Sequence, residues 1–368
     1  MRNRLFSLCP YFAMFPESFV AKNIVAFTKK DDYVFDPFCG RGTTILQSLL
    51  MDRNGAGIDT NPVAYCVSSA KARVPPLDVV LARIDSLERA YTEVDRRVLI
   101  KKRNRLPEFF QYAYRPATLA CLLFLQNSLQ WRKNDVDRFV AALVLGSLHG
   151  ETDKSSSYLS NQMPRTISTK PRYSIRYWRR HHLLPPRREV FDLLRSKARY
   201  RLSTGVPGRE GAVSLGDARD SADVFGWLHG RVKAVVTSPP YLNVTRYEED
   251  QWLRLWFLGH EPQPTYSAMS RDDRHGNQDN YWEFLSESWE GIAPLLTKGA
   301  VLVCRLAGKD ISRKELTDNL HESILSSFPR AYMICRPEIS RIRNRQTTFF
   351  RPGAIGCFFE IDYAFKLT

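Results

Sequence analysis

Two strings in this chain combine residue types that can do chemistry together. The first is Asp36-Pro37-Phe38-Cys39-Gly40-Arg41-Gly42-Thr43-Thr44. Glycines at 40 and 42 can take positive backbone angles and leave no side chain to hold a ligand away. Asp59, 19 residues after Gly40, closes another short apolar run, where a carboxylate can accept bonds from both hydroxyls of a ribose. The second string is Thr237-Ser238-Pro239-Pro240-Tyr241. Its prolines fix the backbone and keep their carbonyls out of helix or sheet bonding. Ser238 Oγ and the Pro239 carbonyl can accept the hydrogens of an amine, and Tyr241 offers a flat face on which an extruded base can stack. A lone glycine pair or a lone Pro-Pro turn is common in loops, so the weight lies on their joint occurrence.

These strings need a sheet edge to hold them. Tyr33–Asp36 reads as a short strand, Thr43–Leu50 as a helix and Gly55–Asp59 as a second strand, with Asn61-Pro62 opening the next helix. Strand, short crossover helix and strand make a right-handed parallel unit. Residues 76 to about 200 carry helical spacing instead: Leu81, Ile84, Leu87 and Tyr91, then Leu119 to Trp131, then Phe139–Leu148. Strand patterns return at Ala212–Asp217, Val232–Thr237 and Gly299–Arg305, with a helix expected around Tyr281–Leu296. Ala331–Cys335 and Gly356–Tyr363 are expected to pair as a terminal hairpin. The division that follows is 1–75, a helical and basic insertion 76–211, and 212–368.

The 368 residues hold 54 Lys and Arg against 39 Asp and Glu, a net charge of +15 that favours a polyanionic partner. Seven cysteines are scattered without a Cys-x-x-Cys pair or zinc-ligand spacing, so no metal is expected and the thiols read as reduced. The opening residues do not form a signal peptide and no run of 18 apolar residues occurs. These features predict a cytoplasmic protein without a membrane span.

The glycine loop has neither the Gly-x-Gly-x-x-Gly spacing of a dinucleotide site nor the Gly-Lys-Ser/Thr of a nucleotide phosphate loop. Asp36-Pro-Phe-Cys-Gly-Arg-Gly-Thr-Thr44 instead resembles the S-adenosylmethionine loop of amino-type (N4-cytosine/N6-adenine) DNA methyltransferases. Ser238-Pro-Pro-Tyr241 resembles their catalytic motif, and Phe15-Pro16-Glu17-Ser18 the segment beside the cofactor's methionine part. The resemblance implies an α/β fold: a Rossmann-like class I methyltransferase sheet with a terminal β-hairpin and a helical insertion. It implies S-adenosyl-L-methionine as cofactor, held by Phe15, Pro16, Asp36, Pro37, Phe38, Gly40, Gly42, Thr43, Thr44, Asp59 and Asp217. Asp36 and the amides near Gly40 would take the methionine end, Asp59 the ribose and Asp217 the adenine amino group. Ser238, Pro239, Pro240 and Tyr241 would carry catalysis. Ser in the first place of that motif leans towards cytosine N4, Asp towards adenine N6. Carbon-5 methylation needs a cysteine nucleophile, usually in a Pro-Cys pair, and the chain has only Cys9-Pro10.

Residues 165–201 hold twelve Lys and Arg against Glu189 and Asp192, interleaved with Tyr173, Tyr177 and Trp178. Arg165, Lys170, Arg172, Arg176, Arg179 and Arg180 are therefore expected on double-stranded DNA, neutralising phosphates while aromatics stack. His181-His182 sits on this basic surface without acids or cysteines to complete a metal site. A second polar stretch, Gly259–Asn280, with His260, Arg271, Arg274 and His275, reads as a loop over the substrate. Such an enzyme would serve restriction–modification beside a cognate endonuclease, or another marking system. The competing readings are an RNA methyltransferase acting on a guanine N2 or similar amine, and a non-catalytic DNA-binding relative.

Overall fold

Strands whose side chains are apolar on both faces need cover on both faces, and the sheet found here has it. The computed structural model describes residues 2–11, 15–94, 96–150, 158–163, 170–242, 247–264, 278–308, 311–342 and 357–368, apart from the side chains of 96 and 247–250. Arg165 and the stretch 265–277, with Arg271, Arg274 and His275, lie outside them. The described strands are β1 (Tyr33–Asp36), β2 (Asn54–Asp59), β3 (Ala212–Leu215), β4 (Val232–Thr237), β5 (Leu296–Leu306), β6 (Tyr332–Met333), β7 (Glu338–Arg341) and β8 (Phe359–Lys366). They form one sheet in the order β3-β2-β1-β4-β5-β8-β6, with β7 also pairing β8. β3 through β5 are mutually parallel; β8 runs antiparallel to β5, β6 and β7. A parallel sheet closed by an antiparallel strand in this order is the class I methyltransferase sheet. The chain runs outwards from β1 to β3 on one side and from β4 to β5 on the other. The order therefore reverses between β1 and β4, where open α/β sheets place their ligand crevice.

Alternation along the strands sorts the two cores. Val34, Ala234, Val236, Val301 and Val303 face the helix Glu17–Phe27 through its Phe19, Val20 and Ile24. Their neighbours Phe35, Val235 and Leu302 face the opposite side. There the helices Gln278–Ile292 and Arg313–Ser327 supply Tyr281, Leu285, Trp289, Leu316, Leu320 and Ile324. Several expected boundaries moved, and the strand expected at Gly356–Tyr363 is Phe359–Lys366, whose first half pairs with β7 rather than with 331–335. The helix anticipated at Phe139–Leu148 is Asp135–Leu145, because the Asn134 side chain caps it by accepting from the Asp137 amide. The strand anticipated at Ala331–Cys335 shrinks to two residues, pairing with the end of β8.

Two compact units divide the chain. The sheet unit comprises Ala13–Arg73, Pro207–Thr245 and Ser267–Thr368. The helical unit comprises Val74–Val206 together with Met1–Phe12 and Arg246–Tyr266, two segments that lie outside the insertion as bounded from the sequence. Its core gathers aromatic rings, with Phe110 4.4 Å from Trp256 and 5.5 Å from Phe109, and Trp178 fully packed behind them. No helix among the described residues is long and apolar enough to cross a membrane, and the described cysteines are free thiols.

Candidate cofactor and catalytic site

β1 ends at Asp36 and β4 ends at Thr237, side by side at the point where the strand order reverses. Two hydrogen bonds join the strings there. Thr237 Oγ1 donates to Asp36 Oδ1 at 2.6 Å, and Thr44 Oγ1 donates to the Val236 carbonyl at 2.9 Å. The glycine loop and the Ser-Pro-Pro-Tyr string thus open from one rim.

The loop is shaped by close approach. Gly40 and Gly42 have φ of 48° and 74°, in the left-handed region where L side chains are strained. A Cβ on Gly42 would also stand 2.7 Å from Ser68 Cβ. Gly42 precedes the helix Thr43–Leu50, so Thr43 and Thr44 sit in its first turn, whose amides have no partner within the helix. Under the loop the buried Lys71 donates to the Arg41 carbonyl at 2.6 Å. In β2, a Cβ on Gly57 would meet the Asp36 carbonyl at 2.7 Å, so a small residue there lets the loop lie against the strand.

Asp36 is buried; its Oδ1 takes Thr237 and the Phe38 amide (3.1 Å), while its Oδ2 has no hydrogen-bond partner. Burial pushes this carboxyl up to about 7, outweighing the hydrogen bonds from Thr237 and Phe38 that pull it down. An orphaned buried carboxylate oxygen is costly unless a donor or cation meets it. Asp59 accepts the Gly40 amide at 2.8 Å on one oxygen and the Asn61 amide at 2.9 Å on the other. Burial raises it to about 6 against those two bonds. Each Asp59 oxygen keeps a lone pair, enough for two vicinal hydroxyls. An ammonium on Asp36 and a ribose on Asp59 would therefore satisfy what this rim leaves unsatisfied, so its donor set fits S-adenosylmethionine.

The other expected contacts are distributed unevenly. Pro37 is buried beside Asp36, and Phe38 packs edge-on to Phe284 at 5.7 Å. Phe15 is buried, edge-on to Phe19 at 5.4 Å, and Pro16 is exposed just before the helix Glu17–Phe27. Asp217 follows β3, but its two oxygens are both engaged by Arg219, at 2.9 and 2.8 Å, and Arg219 also reaches Glu287 at 3.0 Å. Any ligand at Asp217 shares it with that guanidinium.

Ser238 and Pro240 are half-buried and Pro239 is buried. Tyr241 is held from its far end: its hydroxyl donates to Glu360 Oε1 at 2.9 Å. Burial and that carboxylate keep the Tyr241 hydroxyl well above its ordinary range, so it remains a donor. Glu360 lies 3.4 Å from Arg305 Nη1; Arg305 also pairs Asp362 through two bonds of 2.6 and 2.8 Å and lies 4.2 Å over the Phe19 ring. Phe15, Phe19, Arg305, Glu360 and Tyr241 thus form one chain of contacts from the first helix to the catalytic string. Sequence reasoning missed Arg305, Glu360 and Asp362. The available signal was a charge closing the apolar run of β5 and two acids on one face of β8.

The basic segment resolves into two helices. On Pro171–Arg180, Arg172, Arg176 and Arg180 form an exposed i, i+4, i+8 row beside Tyr173, Tyr177 and His181. Tyr173 and Tyr177 stack at 6.5 Å, the Tyr177 and His181 rings lie tilted at 4.4 Å, and Lys170 precedes the helix, exposed. Arg179 stands apart: it donates to Tyr112 Oη at 2.8 Å and pairs Glu108.

Residues 3–69 match the DNA methylase family model. No curated protein matches. Among solved structures, TrmN from Thermus thermophilus is 8% identical with a TM-score of 0.40, over 100% of this chain and 53% of that one. The chain therefore spans about half of TrmN. A SAM-dependent methyltransferase from Methanosarcina mazei is 9% identical with a TM-score of 0.38, over 97% and 99%. TYW2 of M. jannaschii, in complex with AdoMet, is 10% identical with a TM-score of 0.33, over 97% and 80%. The matched segment holds the glycine loop and both rim carboxylates, and the strand order around it is that of class I enzymes. The chain resembles the amino-type DNA methyltransferases in that segment, and its sheet has the class I methyltransferase strand order.

Proposed function

We propose that the chain methylates the exocyclic amine of a DNA base extruded from the duplex, cytosine N4 in first place. The observation carrying the reading is the 2.6 Å bond from Thr237 to Asp36, which ties the Ser-Pro-Pro-Tyr string to the loop that fits the cofactor. When bound, S-adenosylmethionine supplies an electrophilic methyl group on a sulfonium. Asp36 would bind the ammonium of its methionine part, Asp59 its ribose and Asp217 its adenine amino group, the last by sharing the carboxylate with Arg219.

Ser238 Oγ and the Pro239 carbonyl accept the two amine hydrogens, aiming the nitrogen lone pair at the methyl carbon. With the cofactor bound, methyl transfer to the amine nitrogen would release S-adenosylhomocysteine, and the methylated amine would give up one proton to water. Tyr241 carries the base on its ring, and the Glu360 hydrogen bond fixes the angle of that ring. No covalent enzyme intermediate is needed; orientation and charge placement do the work.

The insertion 76–211 carries target recognition in this reading, with Lys170, Arg172, Arg176 and Arg180 on phosphates. Arg179 belongs with them only if it leaves Glu108. A cognate restriction endonuclease would be the functional partner in a restriction–modification setting. Incubation of the purified protein with labelled S-adenosylmethionine and either duplex DNA or RNA, followed by mass spectrometry of nucleosides, tests the reading. N4-methylcytosine is the expected product. N6-methyladenine would move the target to adenine, and transfer to RNA alone would overturn the DNA assignment.

A further inference from the structure

The helix Val190–Leu202 carries cations in two different states. Arg195 is saturated with acid: it pairs Asp85 and Asp192 at 2.8 Å each, and Glu88 as well. Lys197 and Arg201, one turn apart, are joined by Arg4 from the N-terminal segment. The Arg4 guanidinium lies 4.1 Å from the centre of the Tyr200 ring and that of Arg201 lies 5.4 Å from the same ring. The Lys197 ammonium lies 4.9 Å from the ring of Tyr158. Among the described residues none of these three cations pairs with a carboxylate.

The grouping is built rather than loose. Arg4 donates its amide to Thr204 Oγ1 at 2.9 Å and its Nη1 to Ser203 Oγ at 2.6 Å, and Arg201 Nη1 donates to the Arg4 carbonyl at 3.3 Å. All three cations are half-buried. Like charges at i and i+4 repel. Burial and Arg201 push Lys197 down to about 8, and burial lowers Arg201 too. Ring contacts and the carboxyl end of the helix dipole offset part of this repulsion. Neither brings the full negative charge that would balance three cations.

We propose that Arg4, Lys197 and Arg201 form a phosphate-binding site, an anion from outside meeting three cations that have no carboxylate partner among the described residues. An ammonium and two guanidinium groups suit a tetrahedral oxyanion as point charge and planar forks. Tyr200, 52% exposed beside them, offers a ring to a sugar or base attached to that phosphate. The anion is either a backbone phosphodiester of nucleic acid or a free phosphate.

The test uses the full chain without S-adenosylmethionine, so that it does not depend on methyl transfer. Thermal unfolding is compared in sodium phosphate and in sodium chloride of equal ionic strength. Anisotropy of a labelled DNA duplex gives the slope of log K against log salt. The wild type is expected to unfold about 2 °C higher in phosphate. Lys197→Met should unfold no lower than wild type in chloride, because a repulsion is removed, and should lose the phosphate gain. If the anion is a phosphodiester, the variant also lowers the salt slope by about 1; a lost phosphate gain with an unchanged slope identifies a free phosphate. Arg4→Gln, outside the helix, repeats both measurements should Lys197→Met fail to fold. Variants that keep both the phosphate response and the slope overturn the site. Methyl transfer failing while the phosphate response stays intact would sink the enzymatic reading and leave this site standing.

Discussion

The rim at the ends of β1 and β4 and the helix Val190–Leu202 treat charge in opposite ways. At the rim, Asp36 and Asp59 are drawn inside and fixed by backbone amides and a threonine hydroxyl. On the helix, Lys197, Arg199 and Arg201 stay at or near the surface, propped on rings or left in solvent. A buried carboxylate with one oxygen unpartnered is specific, because few ligands present the right donor at the right place. A spread of half-exposed cations is tolerant, since any phosphate geometry satisfies part of it. The contrast teaches that single substitutions should be severe at the rim and graded on the basic helices.

The severest effect is expected for the string that would hold the amine. Ser238→Ala or Tyr241→Ala should lower turnover by about 100-fold while S-adenosylmethionine affinity, read by calorimetry, changes little. Equal loss of both would remove the assigned division of labour. Glu360→Gln, which keeps a hydrogen-bond partner for Tyr241 but drops the charge, should fall between these variants and the wild type. Replacing Asp59 by Ala should weaken cofactor binding about 10- to 100-fold, the cost of losing hydrogen bonds to a charged group. Unchanged affinity would take Asp59 out of the site.

Asp36 gives a pH signature. Its folded value of about 7 exceeds the ordinary 3.8, so the folded protein holds this proton more tightly than the unfolded chain does. The contribution favours folding at low pH and is lost as pH rises from about 4 to about 7. Cofactor binding, which needs the ionised form, should strengthen over the upper part of that range. Asp36→Asn should abolish the strengthening and leave only the Asp59 component, which ends near pH 6. If that variant bound S-adenosylhomocysteine with the pH dependence of the wild type, the assignment would be refuted.

The smallest effects belong to the basic helix Pro171–Arg180. Arg172→Ala or Arg176→Ala should each weaken DNA binding a few-fold and lower the salt slope by about 1. Arg179→Ala should cost less affinity, since its guanidinium already serves Tyr112 and Glu108. If Arg179→Ala proved the most damaging of the three, the split between phosphate-facing and structural arginines would be wrong.

Much of the rim is legible in the residue order. Asp36, the glycine pair and Asp59 are local features, set by strand ends and a turn that must have positive φ, and local spacing exposes them. The same holds for Ser238-Pro-Pro-Tyr241 after its apolar strand. The brace behind Tyr241 was illegible because Arg305, Glu360 and Asp362 come from β5 and β8, 57 residues apart at Arg305 and Asp362, and only the antiparallel register makes them neighbours. Asp217 shows the reverse: its position after β3 was anticipated, but not the guanidinium that occupies it.

Local residue order therefore determined which groups exist and which strand ends carry them, through backbone preference and the two-residue period of a sheet. Tertiary structure alone decided which groups are neutralised, because pairing depends on what distant segments bring within about 4 Å. It joined Thr237 to Asp36 across 201 positions of chain. It also gave Arg195 its acids, while leaving Arg4, Lys197 and Arg201 together with no described carboxylate partner.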